Sequence, residues 1–235
     1  MEVFVLGKKY LMLALILGSI STTSFGFTLK NPTKTEKKNV QVSKEDTDKN
    51  LYQEIGLAGK LDYNVFKTAL NGYNKIERKK DLLTIIDYSK PSTEKRFFVI
   101  DMKQKKILVN SHVSHGKNSG GNIATSFSNK VSSNKSSLGF FLTENTYMGG
   151  NGYSLVLNGL EEGINDKAKE RYIVIHGADY ANPKMAKSLG RLGRSLGCPA
   201  LPRDISKKTI DMIKNGSVIF AYGNDTNYLE RSSYV

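Results

Sequence analysis

Six short runs of β type, Leu82 to Tyr88, Arg96 to Asp101, Lys106 to His112, Tyr153 to Leu157, Arg171 to His176 and Ser217 to Tyr222, follow one another along the chain with Gly, Asn and Ser clusters between them. Strands of that length bury their apolar side chains by pairing into a sheet, so the main body of the protein is expected to be mainly β. Upstream, Leu51, Ile55 and Ala58, then Val65, Phe66, Ala69, Leu70, Tyr73 and Ile76 fall at helical spacing and predict two short helices broken near Gly59. One more helix is predicted around Asp204 to Asn215, where Ile205, Thr209, Ile210, Met212 and Ile213 recur ahead of Gly216. The Ser, Asn and Lys stretch from Ser126 to Ser137 reads as a long surface loop.

The ends of the chain carry address signals rather than fold. Lys8-Lys9 followed by the apolar run Tyr10 to Ile20 has the basic and hydrophobic regions of a secretory signal, with Ser24 and Gly26 as the small residues of a cleavage site. The run is about eleven residues, too short to span a bilayer, so contact with the membrane is expected only in transit. No cysteine follows it to take a lipid. The expected organisation is a signal peptide over 1–26, a flexible linker over 27–47, a helical segment over 48–80, a catalytic domain over 81–225 and a tail over 226–235. The formal net charge is +13, and loss of Lys8, Lys9 and Glu2 with the signal lowers it by one. Its basic residues are scattered, without an aromatic ladder or a compact basic helix, so nucleic acid is not expected as a partner. The charge instead suits an acidic polymer outside the cell.

The sequence has a single cysteine, Cys198, which excludes an internal disulfide. It lies between Gly197 and Pro199, a loop context. His176 ends the apolar run Arg171 to His176 and is followed by Gly177, which would let the chain turn away from a sheet edge. A thiol attacks a carbonyl as thiolate, and a neighbouring imidazole can take its proton. Cys198 and His176 are therefore the candidate catalytic pair, with Gly197 and Cys198 N–H groups as candidate oxyanion donors. The competing reading of the same residues is a small buried cysteine and a core histidine.

At these residues the sequence resembles a known family. Ile175-His176-Gly177 and Ser195-Leu196-Gly197-Cys198 are similar to the His-Gly and Ser-x-Gly-Cys signature of bacterial murein L,D-transpeptidases of the YkuD-like fold. The phrases His115-Gly116-Lys117-Asn118-Ser119-Gly120, Ser137-Leu138-Gly139-Phe140, His176 to Tyr180 and Gly190 to Ala200 resemble a divergent branch of it, and the likeness runs from about Leu82 to Tyr222. The resemblance implies a β-sandwich-like catalytic domain with a small N-terminal helical segment and peripheral helices. It also implies acyl transfer on peptidoglycan stem peptides through a Cys198 thioester, with release of terminal D-alanine and no metal or other cofactor. Water in place of the acceptor amine would make the enzyme an L,D-carboxypeptidase, and loss of turnover would leave a peptidoglycan-binding module.

Two departures stand out: Leu196 replaces the second histidine of many family members, and Ala200 replaces an arginine or asparagine two places after the cysteine. Arg191 and Arg194 are candidates to bind substrate carboxylates in a two-pronged match. Ser195 is a candidate orienting group, the Gly177 carbonyl or Asp179 a candidate orienter of His176, and His115 a loop residue expected to face the cleft. Tyr147 could line the same cleft or simply pack beside its turn. His112 and His115 form His-x-x-His, but two ligands do not make a site and no metal is expected there.

Overall fold

The computed structural model describes residues 43–235. The expected signal segment, 1–26, and the expected linker up to residue 42 lie outside the described residues. Helix α1, Lys44–Ile55, starts inside the span expected to be linker, because the Ser43 hydroxyl accepts the Asp46 N–H at its first turn and Gly56 ends it at φ +78°. Helix α2, Tyr63–Lys75, is capped by Asp62, and its buried stripe of Val65, Phe66, Ala69, Leu70 and Tyr73 is the periodicity seen in the sequence. Gly72 sits where this helix meets the sheet: a Cβ there would lie 2.1 Å from the ring of Phe140.

Eight strands follow: β1 Leu82–Asp87, β2 Phe97–Asp101, β3 Lys106–Ser111, β4 Gly139–Gly149, β5 Gly152–Gly159, β6 Val174–Gly177, β7 Ala200–Leu201 and β8 Val218–Tyr222. They form one sheet in the order β3-β2-β1-β8-β4-β5-β6-β7. Strands β1 and β8 pair in parallel, as do β6 and β7, and the remaining neighbours are antiparallel. Ser114, just past β3 at one edge, bridges to Ala200 in β7 at the other, so the sheet curls round and brings its two edges together. The domain is thus mainly β, with small helices around it. Its interior is built from Leu83, Ile85, Phe97, Phe98, Phe140, Ile219 and Phe220, all fully buried. Each such side chain contributes roughly 2 kcal/mol of transfer free energy.

Several elements differ from expectation. β4 is eleven residues long, yet its second half, Glu144 to Gly149, is polar or exposed and carries no period-two signal. It is a strand because it forms a hairpin with β5 through Gly149 and Gly152, the latter at φ +77°. The exposed helix α3, Pro183–Leu189, begins at an Asn182 cap and has one buried residue, too little for an amphipathic pattern. Helix α4, Arg203–Ile213, matches the expected helix to within two residues at its C-terminal end. The expected tail contains α5, Thr226–Arg231, whose Tyr228 is buried beside Phe220.

Candidate active site

His176 is delivered by β6, and the reason for the glycine after it is packing. Gly177 is an extended strand residue, not a turn; a Cβ on it would lie 2.4 Å from the Ser206 hydroxyl of α4. The expectation that Gly177 turns the chain is corrected: it lets α4 press against the strand. The Gly177 carbonyl can only accept, so the His176 Nδ1 at 3.2 Å donates to it and carries the ring proton. This leaves Nε2 as the basic nitrogen, without a hydrogen bond among the described residues. Asp179, the other candidate orienter, is instead paired with Arg203 at 2.7 Å. Burial pushes the His176 pKa below the ordinary value, assisted by the charge of Arg203, so the imidazole is neutral at pH 7.

Register places the cysteine loop beside it. His176 pairs with Ala200 across the parallel ladder, and on its other side with Ser154 of β5, which pairs with Tyr147 of β4. With Ser114 bridging Ala200, one row crosses the sheet as Tyr147, Ser154, His176, Ala200, Ser114. Paired residues project to the same face. The Ser114 hydroxyl at the end of that row is buried without a hydrogen-bond partner among the described residues.

Cys198 is 8% exposed, and its sulfur donates to the Tyr172 carbonyl at 3.4 Å while facing the Val174 N–H. Val174 precedes His176 by two residues, about 7 Å along a strand. No hydrogen bond joins sulfur to imidazole among the described residues. Burial raises the thiol pKa, and the Val174 N–H and the charge of Arg171 offset this in part. The resting pair is therefore a neutral thiol and a neutral imidazole.

The loop carrying the thiol is rigidly tied. The Ser195 hydroxyl donates to the Cys198 carbonyl at 2.6 Å and accepts the Gly197 N–H at 3.0 Å. Gly197 N–H is thus already engaged, which corrects its expected role as an oxyanion donor; the Cys198 N–H has no partner among the described residues. Gly197 itself stands at φ +131°, with the Lys135 carbonyl 2.9 Å from where a Cβ would be. Its carbonyl accepts from Ser136 at 3.1 Å. Arg171 donates to Ser128, Ser133, Ser137 and the Lys135 carbonyl, which fastens the 126–137 loop over this turn.

The remaining expected residues are structural first. Arg194 Nη1 donates to the carbonyls of Lys117 and Gly120, and Arg191 Nη1 to that of Leu192, so each has one nitrogen engaged on loop backbone. His115 does not face a cleft: it is 1% exposed, with Nδ1 2.7 Å from Arg96 Nη2 and Nε2 3.4 Å from the Gly120 carbonyl. His112 meets the Thr93 carbonyl instead, and among the described residues no three His, Cys, Asp or Glu side chains are grouped to hold a metal ion. Tyr147 does line a groove of about 280 Å³, with Val156, Lys169, Tyr172, Ile173 and Val174. Tyr172 is 79% exposed and sits at φ +53°, an unusual backbone position for an aromatic residue. Sequence reasoning missed both Tyr172 and the buried Arg96, each of which reads as an ordinary flank of a strand.

A curled mainly β domain with a cysteine loop and a histidine strand on one ladder defines the class. The sequence profile of the L,D-transpeptidase catalytic domain matches residues 57–222. The chain belongs to that family. Among curated proteins none matches. Solved structures similar to it include an L,D-transpeptidase from Stackebrandtia nassauensis, with 18% identity over 76% of this chain and 77% of that one and a TM-score of 0.36. An L,D-transpeptidase from Mycobacterium smegmatis is 16% identical over 61% of this chain and 59% of its own, with a TM-score of 0.38. A helical cell shape determining protein from Campylobacter jejuni is 13% identical over 68% and 54%, with a TM-score of 0.42. The chain therefore spans about three fifths of the mycobacterial protein and about half of the Campylobacter one.

Proposed function

We propose that the protein is an exported cysteine acyltransferase that acts on peptidoglycan stem peptides, with Cys198 as nucleophile and His176 as its base. The observation that carries the reading is the pairing of His176 with Ala200, which sets an imidazole with an unengaged Nε2 beside the cysteine loop. To react, the sulfur releases the Tyr172 carbonyl and turns toward His176. The thiol proton passes to Nε2, and the sulfur attacks the carbonyl of the third stem residue. Negative charge on that oxygen is met by the Cys198 N–H. The C–N bond to terminal D-alanine then breaks, its amine leaves with the proton from the imidazolium, and a thioester remains.

An acceptor amine attacks the thioester, gives its proton to His176 and expels the sulfur, forming a 3-3 cross-link or exchanging a D-amino acid. Incubation of the mature protein with tetrapeptide muropeptides is expected to release D-alanine and add one acyl mass at Cys198 by intact-mass spectrometry. Cys198→Ala abolishes both. Dimeric muropeptides separate transfer from L,D-carboxypeptidation, and turnover surviving in Cys198→Ala would overturn the reading. Export rests on Lys8-Lys9 and the apolar run after them, and the N-terminus of the protein recovered from the cell envelope is expected just past residue 26.

A further inference from the structure

Arg96 is the largest fully buried side chain among the described residues, at 0% exposure, and it forms no salt bridge there. Buried Asp87 acts on its charge only at longer range, and a guanidinium inside a β core without a direct ion pair is costly unless its donors meet fixed acceptors. They do. Nε and Nη2 donate to the Val113 carbonyl at 3.2 and 2.9 Å, Nη1 to the Lys90 carbonyl at 2.8 Å, and Nη2 to His115 Nδ1 at 2.7 Å. The guanidinium also lies 5.2 Å from the Tyr88 ring centre. Arginine only donates, so His115 accepts at Nδ1 and its Nε2–H faces the Gly120 carbonyl.

The backbone of the same segment grips the cysteine loop. The His115 carbonyl accepts the Ser195 N–H at 2.9 Å, and the Ser195 carbonyl accepts the Lys117 N–H at 2.8 Å. Ser114 N–H donates to the Ala200 carbonyl at 2.9 Å, beyond the cysteine on its other side. Ser195 in turn fixes Gly197 and Cys198 through its hydroxyl. We infer that Arg96 is a positioning residue for Cys198: by locking Val113 and His115 it sets the 113–117 segment, and that segment holds the cysteine loop at Ser195 and Ala200. The inference rests on the reading of Cys198 as the nucleophile, but the hold itself is measurable without turnover.

The test combines hydrogen exchange with kinetics on Arg96→Lys, His115→Leu and His115→Gln, each compared with the full mature protein. Lysine keeps the charge and loses the fork; leucine removes the acceptor of one Nη2 N–H and leaves the other on Val113; glutamine supplies both an acceptor for Arg96 and a donor for Gly120. In Arg96→Lys and His115→Leu, amide exchange is expected to quicken about tenfold in 113–120 and 192–198 while β1 and β8 keep their protection. D-alanine release is expected to lose roughly tenfold to a hundredfold in kcat with KM little changed, and His115→Gln to restore both readouts. Should Arg96→Lys fail to fold, the His115 pair decides alone. Uniformly faster exchange, or a folded His115→Leu with unaltered exchange in 192–198, would overturn the inference. An inactive wild type with the expected exchange pattern would sink the enzymatic reading and leave the hold standing.

Discussion

At the scale of single residues, burial acts in opposite directions on the two groups proposed to react. It raises the thiol of Cys198 above its ordinary value of 9.0 and lowers the imidazole of His176 below 6.5. Each shift favours the neutral form, so the resting site carries no ion pair and the proton moves only when the sulfur turns to Nε2. The pair therefore titrates in two steps set widely apart. The rate is expected to rise with pH through a first step below 6.5, hold a broad plateau, and fall through a second step above 9.0. Initial rates of D-alanine release from pH 4 to pH 11 check this. A narrow bell with its two limbs close together near neutrality would overturn this, because neither group would then be held neutral by burial.

At the scale of elements, the site is a product of register and close approach. One row of the sheet aligns His176 with Ala200, and glycines at both ends of that alignment admit their neighbours: Ser206 against Gly177, the Lys135 carbonyl against Gly197. Gly197→Ala forces a Cβ into that carbonyl at φ +131°, a strain of about 1–3 kcal/mol. It is expected to lower kcat about a hundredfold by displacing the adjacent sulfur, with a smaller change in melting temperature. Wild-type kcat in this variant would show that the turn is not constrained. Much of this region was legible in the sequence: the thiol between Gly and Pro, the histidine ending an apolar run, both N-terminal helices and most of the strands. What was hidden depended on pairing partners far along the chain. Glu144 to Gly149 extends β4 only because β5 returns beside it, and Arg96 looks like a solvated strand flank until Lys90, Val113 and His115 surround it. Gly197 and Ser195 were read as parts of the site, yet their hydrogen bond to each other can be seen only once the loop is closed.

At the scale of the whole molecule, histidines that burial holds neutral, His115 and His176 fully and His112 in part, set the described domain's response to acid. His112, His115 and His176 all have pKa values depressed by burial, and for His115, which faces Arg96 and Arg194, the value falls to about 4. Between 6.5 and 4 the unfolded chain takes up a proton at this position that the folded chain refuses. The stability associated with neutral His115 is thus complete above 6.5 and lost as pH falls through that window, by about 3 kcal/mol at the lower end. Asp87 and Glu161, raised by burial, titrate in the opposite sense and soften the slope at the acid end. His115→Gln removes the titration while keeping an acceptor for Arg96 and a donor for Gly120. Urea unfolding at pH 7 and pH 4.5 is therefore expected to show a large acid loss in the wild type and a smaller one in the variant. Equal losses in both would place the acid sensitivity elsewhere, in His112, His176 or the net positive charge.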